Sequence, residues 1–75
     1  MLSILYIMKN RLREQRSVRG LSQVDVAASL GVSRQTVIAI ESGRYSPSLP
    51  LAFRIARLFD VPVDKMFDPE EEVGT

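Results

Sequence analysis

The sequence contains neither cysteine nor histidine. Those absences exclude disulfides, zinc fingers, thiolate and imidazole nucleophiles and most transition-metal sites. Catalysis would have to rest on carboxylates, lysine or hydroxyls. No pair of these stands in a recognisable catalytic motif, so the chain is read as a non-enzyme that uses no cofactor. Long hydrophobic runs are missing as well. The apolar opening MLSILYIM is far too short to span a bilayer, and it lacks the basic start and small-residue cleavage site of a signal peptide. The expectation is a cytoplasmic protein with no membrane partner. At 75 residues it holds one small domain, whose buried fraction is modest enough that dimerisation would add to its stability.

Acidic residues are scarce until the end of the chain. Residues 1–59 hold nine basic side chains against three acidic ones, Glu14, Asp25 and Glu41, whereas residues 60–75 hold six acids against Lys65. A net charge of +1 thus conceals a basic body with an acidic tail, which suits an anionic polymer as partner. Arginine-rich helices with an ordinary solvated surface share this composition, so charge alone does not decide the partner.

Information is densest in residues 23–42, QVDVAASLGVSRQTVIAIES. Two short helical patterns, Gln23–Leu30 and Arg34–Ser42, flank Gly31-Val32-Ser33. Val26, Ala27 and Leu30 share a face of the first, Val37 and Ile40 share a face of the second, and Val32 plugs the corner. Ala27 is small where crossing helices approach. Gly31 stands where the first helix must stop with positive φ, and Ser33 can cap the second through its hydroxyl. So short a turn forces a sharp crossing, the geometry of the DNA-reading helix-turn-helix; an ordinary amphipathic hairpin shares the apolar spacing but does not need the small residue, the glycine and the cap together.

Five helices account for nearly the whole chain. The first is expected from Lys9 to Arg19, ending at Gly20, with Met8, Leu12 and the Arg16 stem inward and Leu21 packing just after it. Ser22 caps the second, with Asp25 as its capping-box partner. The third ends before Gly43, and Arg44-Tyr45-Ser46-Pro47 forms a loop. Ser48 caps the fourth, which tolerates Pro50 in its first turn. Its apolar face comprises Leu51, Ala52, Ile55, Ala56, Leu58 and Phe59. After Pro62 a last short helix runs from Val63 to Phe67, and EEEVGT is expected to lack structure. The chain therefore divides into a leader at 1–7, a domain at 8–68 and an acidic tail at 69–75.

From Met8 to Phe67 the chain resembles the small phage-repressor and Cro-like (Xre-type) helix-turn-helix regulators. The resemblance is carried by LREQRSVRGLSQ, VAASLGVSRQTVIAIESGRYSPSL and AFRIARLFDVPVDKMF. It implies an all-α, lambda-repressor-like fold of five helices that binds double-stranded operator DNA as a homodimer and usually represses transcription. The third helix would lie in the major groove. Arg34, Gln35 and Thr36, together with the Ser33 cap, match the base-reading and phosphate-contacting start of that helix, and Ala39 matches a groove-facing position one turn later. Gln23 matches a phosphate clamp, and Arg44 and Tyr45 match a phosphate-touching loop. Arg16 and Glu41 match a buried ion pair between the first and third helices. The chemistry suits these roles, since arginine addresses guanine and glutamine addresses adenine with paired hydrogen bonds, and Tyr, Gln and Arg donors suit phosphate. Tyr45 has a second reading, its ring packed over the fourth helix, Thr36 one as a supplement to the Ser33 cap, Arg34 and Gln35 one as solvated surface residues, and Glu41 one as an exposed acid.

The chain departs from the family at Gln15, Val24 and Ile38, and in its leader. Gln15 replaces an apolar residue; Val24 and Ile38 are apolar where polar residues are common. The leader is either a short strand that pairs across a dimer or the product of an upstream start codon. A dimer contact must leave both third helices free, which points to Val61, Val63, Met66 and Phe67, although some of these must also close the core. Two rival readings remain open: an antitoxin or phage-immunity component that binds a second protein as well as DNA, and a protein-interaction module that binds no DNA.

Overall fold

The computed structural model describes residues 9–68 and, as backbone, the strands Leu5–Tyr6 and Glu72–Val73. Five helices follow one another as α1 (Leu12–Val18), α2 (Gln23–Leu30), α3 (Arg34–Glu41), α4 (Leu49–Phe59) and α5 (Val63–Met66). Strands β1 (Leu5–Tyr6), β2 (Lys9–Asn10), β3 (Phe67–Asp68) and β4 (Glu72–Val73) form two antiparallel pairs. In β1–β4 Leu5 stands opposite Val73, and in β2–β3 Asn10 stands opposite Phe67. No helix among the described residues is long and apolar enough to cross a membrane.

The helix starts follow from local side-chain chemistry. Ser22 accepts the Asp25 amide hydrogen at 3.0 Å while the Asp25 carboxylate accepts the Ser22 amide hydrogen at 2.9 Å, a reciprocal box that occupies two otherwise orphaned donors. Ser33 and Ser48 cap α3 and α4 by accepting from Thr36 and Leu51. Gly31 ends α2 with φ 71°, a left-handed conformation that a Cβ would strain.

Tertiary contacts move three boundaries. The first helix begins at Leu12 rather than Lys9 because Lys9 and Asn10 are drawn into a ladder with Phe67 and Asp68, and the Arg11 amide donates to the Met66 carbonyl at 2.9 Å. The same ladder ends α5 at Met66, so Phe67 is extended instead of helical. In the tail, expected to lack structure, Glu72 and Val73 pair with the leader of the same chain. Met8 lies outside the described residues.

One apolar core joins all five helices: Leu12 of α1, Val26, Ala27 and Leu30 of α2, Val37 and Ile40 of α3, Ala52, Ile55 and Phe59 of α4, and Met66 of α5, closed by Phe67. Val32 and Leu21 pack against its edge. The inward face of α4 is narrower than its composition suggests. Ala52, Ile55, Ala56 and Phe59 repeat at helical spacing and are buried, whereas Leu58, turned away from that row, is 38% exposed.

The Ser22 amide first, and its hydroxyl second, hold the Asp25 carboxyl below the usual carboxylate range. A carboxyl lowered by folding stabilises the fold above its unfolded pKa, and that contribution disappears as pH falls through the folded value. Thermal melts should therefore separate the wild type from Asp25→Ala at neutral pH, with the gap closing below about pH 4. A gap unchanged at low pH would mean that the box does not involve the charged carboxylate.

Candidate nucleic-acid interface

The outer side of α3 is built by what its inner side consumes. Val37 and Ile40 are buried, which leaves Arg34 and Gln35 exposed at the start of the helix and Thr36, Ile38 and Ala39 partly covered. Ser33 orders this first turn: its hydroxyl accepts the Thr36 amide hydrogen at 3.1 Å and lies 3.0 Å from the Thr36 hydroxyl. Both alcohols are thus engaged at the positive end of the helix dipole.

A polar relay runs behind the exposed residues. Arg16 of α1 donates from Nε to Glu41 Oε2 at 2.7 Å and from Nη2 to Oε1 at 3.3 Å, and its Nη1 donates to the Leu21 carbonyl at 3.0 Å. The two side chains retain 16% and 6% of their exposure, so the pair is sheltered rather than fully enclosed. Glu41 raises the Arg16 pKa by accepting its hydrogen bond; burial opposes the rise and the carboxylate charge adds to it. A raised arginine pKa leaves the pair at full strength throughout the neutral range.

Gln23 extends the relay. Its Nε2 donates to Glu41 Oε1 at 3.2 Å, and its Oε1 accepts from Arg34 Nε at 3.3 Å. The carboxylate needs a donor and the guanidinium needs an acceptor, so the amide has one satisfactory orientation. The first residue of α2 is thereby linked to the first of α3. Residues to which the resemblance gives separate roles, Gln23, Arg34 and the Arg16–Glu41 pair, are joined by direct contacts.

Arg44 and Tyr45 leave from the other end of α3. Their amides both return to the Ala39 carbonyl, at 3.0 and 3.2 Å, which ties the loop to the helix. Tyr45 is 45% exposed. Among the four apolar residues considered for a dimer contact, Met66 and Phe67 are 0% and 7% exposed and belong to the core of the single chain. Val61 and Val63 only edge that core.

Several arginines prove to have internal work. Arg19 donates to the Phe59 carbonyl at 2.8 Å with its guanidinium 5.2 Å from the Phe59 ring centre. Arg54 donates to the Leu30 carbonyl at the end of α2, whereas Arg11 and Glu14 form an exposed pair, 3.4 Å apart, at the start of α1. Neither these partners nor the Gln23 relay is signalled in the sequence, because each joins residues on different elements or depends on rotamers.

The Helix-turn-helix family model, HTH_3, matches residues 12–66. This chain belongs to that family. The helix-turn-helix chain is of the Xre type, a DNA-binding transcriptional regulator. It is 52% identical over 65 residues to an uncharacterized HTH-type transcriptional regulator of Methanocaldococcus jannaschii, covering 87% of this chain and 98% of the relative. It is 31% identical over 65 residues to the cryptic phage CTXphi transcriptional repressor RstR of Vibrio cholerae, covering 87% of this chain and 59% of RstR. Among solved structures it resembles the restriction-modification controller protein C.AhdI of Aeromonas hydrophila, with a TM-score of 0.66 and 34% identity over 73% of this chain and 83% of that one.

Removing Glu41 from this regulator would leave the Arg16 guanidinium and the Gln23 amide without their shared acceptor. Because the pair is sheltered but not enclosed, Glu41→Ala should cost about 2 kcal/mol, within the range for a charged hydrogen bond. That corresponds to a fall of about 8–16 °C in melting temperature for a domain of this size. An unchanged melt would show that the relay does not hold α1 to α3 in solution.

Proposed function

We propose that this chain is a sequence-specific transcriptional repressor that acts in the cytoplasm as a homodimer, with α3 of each copy in the major groove of an inverted-repeat operator. The observation that carries the reading is the division of α3. Its apolar row is spent on the core and its one acid on Arg16, so the groove-sized surface left outside begins with Arg34 and Gln35. Those are the side chains that can address guanine and adenine with paired hydrogen bonds. Gln23, through its contact with Arg34, would orient the guanidinium before DNA arrives as well as meet phosphate. Arg44 has no ion pair among the described residues and stands where a phosphate contact needs a free cation. Likeness to RstR favours repression.

One helix-turn-helix offers few contacts, so two copies related by a two-fold axis supply the remainder. The proposed contact is centred on Phe53 of α4, which is 45% exposed and shares an open groove with Ala56, Arg57, Asp60, Val61 and Val63. Arg57 and Asp60 have opposite charges, and neither side chain has an ion pair among the described residues. An isologous contact lets each Arg57 face Asp60 of the second copy around the two Phe53 rings. Asp60 also holds a left-handed φ of 56°, at a cost of about 1–2 kcal/mol for a residue with a Cβ. A role between subunits accounts for keeping a carboxylate where glycine would be unstrained.

Duplex selection from a random pool tests the reading head. Arg34→Ala and Gln35→Ala should each relax one or two base pairs per half-site, costing about 1–3 kcal/mol for each lost bidentate pair. Arg44→Ala should weaken all duplexes alike and reduce the salt slope by about 1. If the Arg34 and Gln35 variants select the wild-type consensus, α3 is not the reading helix.

Sedimentation tests the contact between copies. Phe53→Glu should shift the protein to monomer while lowering its melting temperature at low protein concentration far less than a core substitution would, because the residue is 45% exposed. Asp60→Gly should weaken the dimer but stabilise the monomer. A Phe53→Glu protein that sediments like the wild type would remove this face from the proposal.

A further inference from the structure

Asn10 joins three parts of the fold. Its Oδ1 accepts the amide hydrogen of Leu12, the first residue of α1, at 3.1 Å, while its Nδ2 donates to the Ile40 carbonyl in the last turn of α3 at 2.7 Å. Its backbone lies in β2, opposite Phe67 of β3. The next residue, Arg11, donates its amide to the Met66 carbonyl at 2.9 Å. The side-chain orientation is dictated by chemistry: the atom facing the Leu12 N–H must be oxygen and the atom facing the Ile40 carbonyl must be nitrogen.

The Ile40 carbonyl is a sensitive place to hold. It also accepts the Gly43 amide hydrogen at 2.9 Å, within the turn that leads into Arg44 and Tyr45. The buried face of α3 is a narrow row, Val37 and Ile40, and apolar contact is non-directional, so packing alone resists rolling of the helix weakly. Directional bonds supply the resistance. Arg16 holds the Glu41 side chain, but a side-chain bond permits the backbone beneath it to shift. Asn10 grips the backbone itself.

We infer that Asn10 is a positioning residue for DNA reading: it fixes the C-terminal end of α3, and the loop that follows, against both the start of α1 and the β2–β3 ladder. The inference rests on α3 being the reading helix. Paired base contacts tolerate displacements of only about 0.5 Å, whereas loose association with phosphates does not require that placement. Loss of the grip therefore acts on specific binding and spares non-specific binding.

Two full-length variants separate the ends of the side chain. Asn10→Ser keeps a hydroxyl able to reach the Leu12 amide but is too short for Ile40. Asn10→Asp keeps the oxygen that faces the Leu12 amide and sets a second oxygen against the carbonyl. Well below the melting temperature, both should retain wild-type helical circular dichroism. Affinity for the selected duplex should fall roughly fivefold to tenfold, the loss expected for one hydrogen bond, and more for Asp than for Ser. Affinity of Asn10→Ser for a mixed-sequence duplex should not change, and that of Asn10→Asp should fall only by the small, sequence-independent amount its added negative charge costs. Amide NMR shifts in the free protein should move at residues 40–45 and stay fixed across α2. If Asn10→Asp fails to fold, the Ser variant decides. An unchanged ratio of specific to non-specific affinity, or shifts confined to α1, would overturn the assignment. A wild type with no preferred duplex would instead refute the proposed function, and the shifts at residues 40–45 would then judge the grip alone.

Discussion

Glu41 carries the one negative charge on α3, and Arg16 reaches from α1 to hold it at 2.7 Å. A carboxylate free to point outward from that helix would repel a phosphate backbone. Tied to Arg16, it becomes an internal anchor that positions α1 against α3 and orients Gln23, which in turn meets Arg34. The character of the outer face thus depends on an interaction beneath it. Its cost in desolvation is limited because the pair keeps some solvent and because Glu41 also accepts from Gln23.

The basic composition of the chain has two distinct uses. Arg16, Arg19 and Arg54 bond within the fold, fastening the Leu21, Phe59 and Leu30 carbonyls to other elements, although Arg19 and Arg54 remain exposed. Guanidinium suits this work because it presents several fixed donors while its stem packs against apolar neighbours. Arg34 and Arg44 stand outward at opposite ends of α3. A count of arginines therefore overstates the surface available for phosphate, although every guanidinium still contributes to the long-range positive field.

Extended segments pair β2 with β3 and β1 with β4, and the ladder places Phe67 in the core beside Met66. Both residues are enclosed by their own chain, whereas Phe53 of α4 lies exposed beside Val61 and Val63. The small core explains this economy: a short chain has few large apolar side chains, and closing its own interior uses most of them.

Much of the fold was legible because its determinants are local. Ser22 with Asp25, Ser33, and Ser48 with Pro50 act on backbone amides within three residues, and Gly31 meets a conformational demand at its own position, so sequence alone determined these helix starts and the sharp turn between α2 and α3. Helical spacing likewise identified Val26, Leu30, Val37, Ile40, Ile55 and Phe59 as inward. Other features were decided only in three dimensions. Whether Lys9 and Asn10 begin a helix or a strand depends on Phe67 and Asp68, nearly sixty residues away. Leu58 has the spacing of an inward residue yet is exposed, and nothing local marks the exposure of Phe53, because the width of a buried face depends on which neighbours reach it. The Gln23 link and the Asn10 bridge were equally hidden, since a side-chain amide has no partner until folding brings a donor and an acceptor within about 3 Å of it.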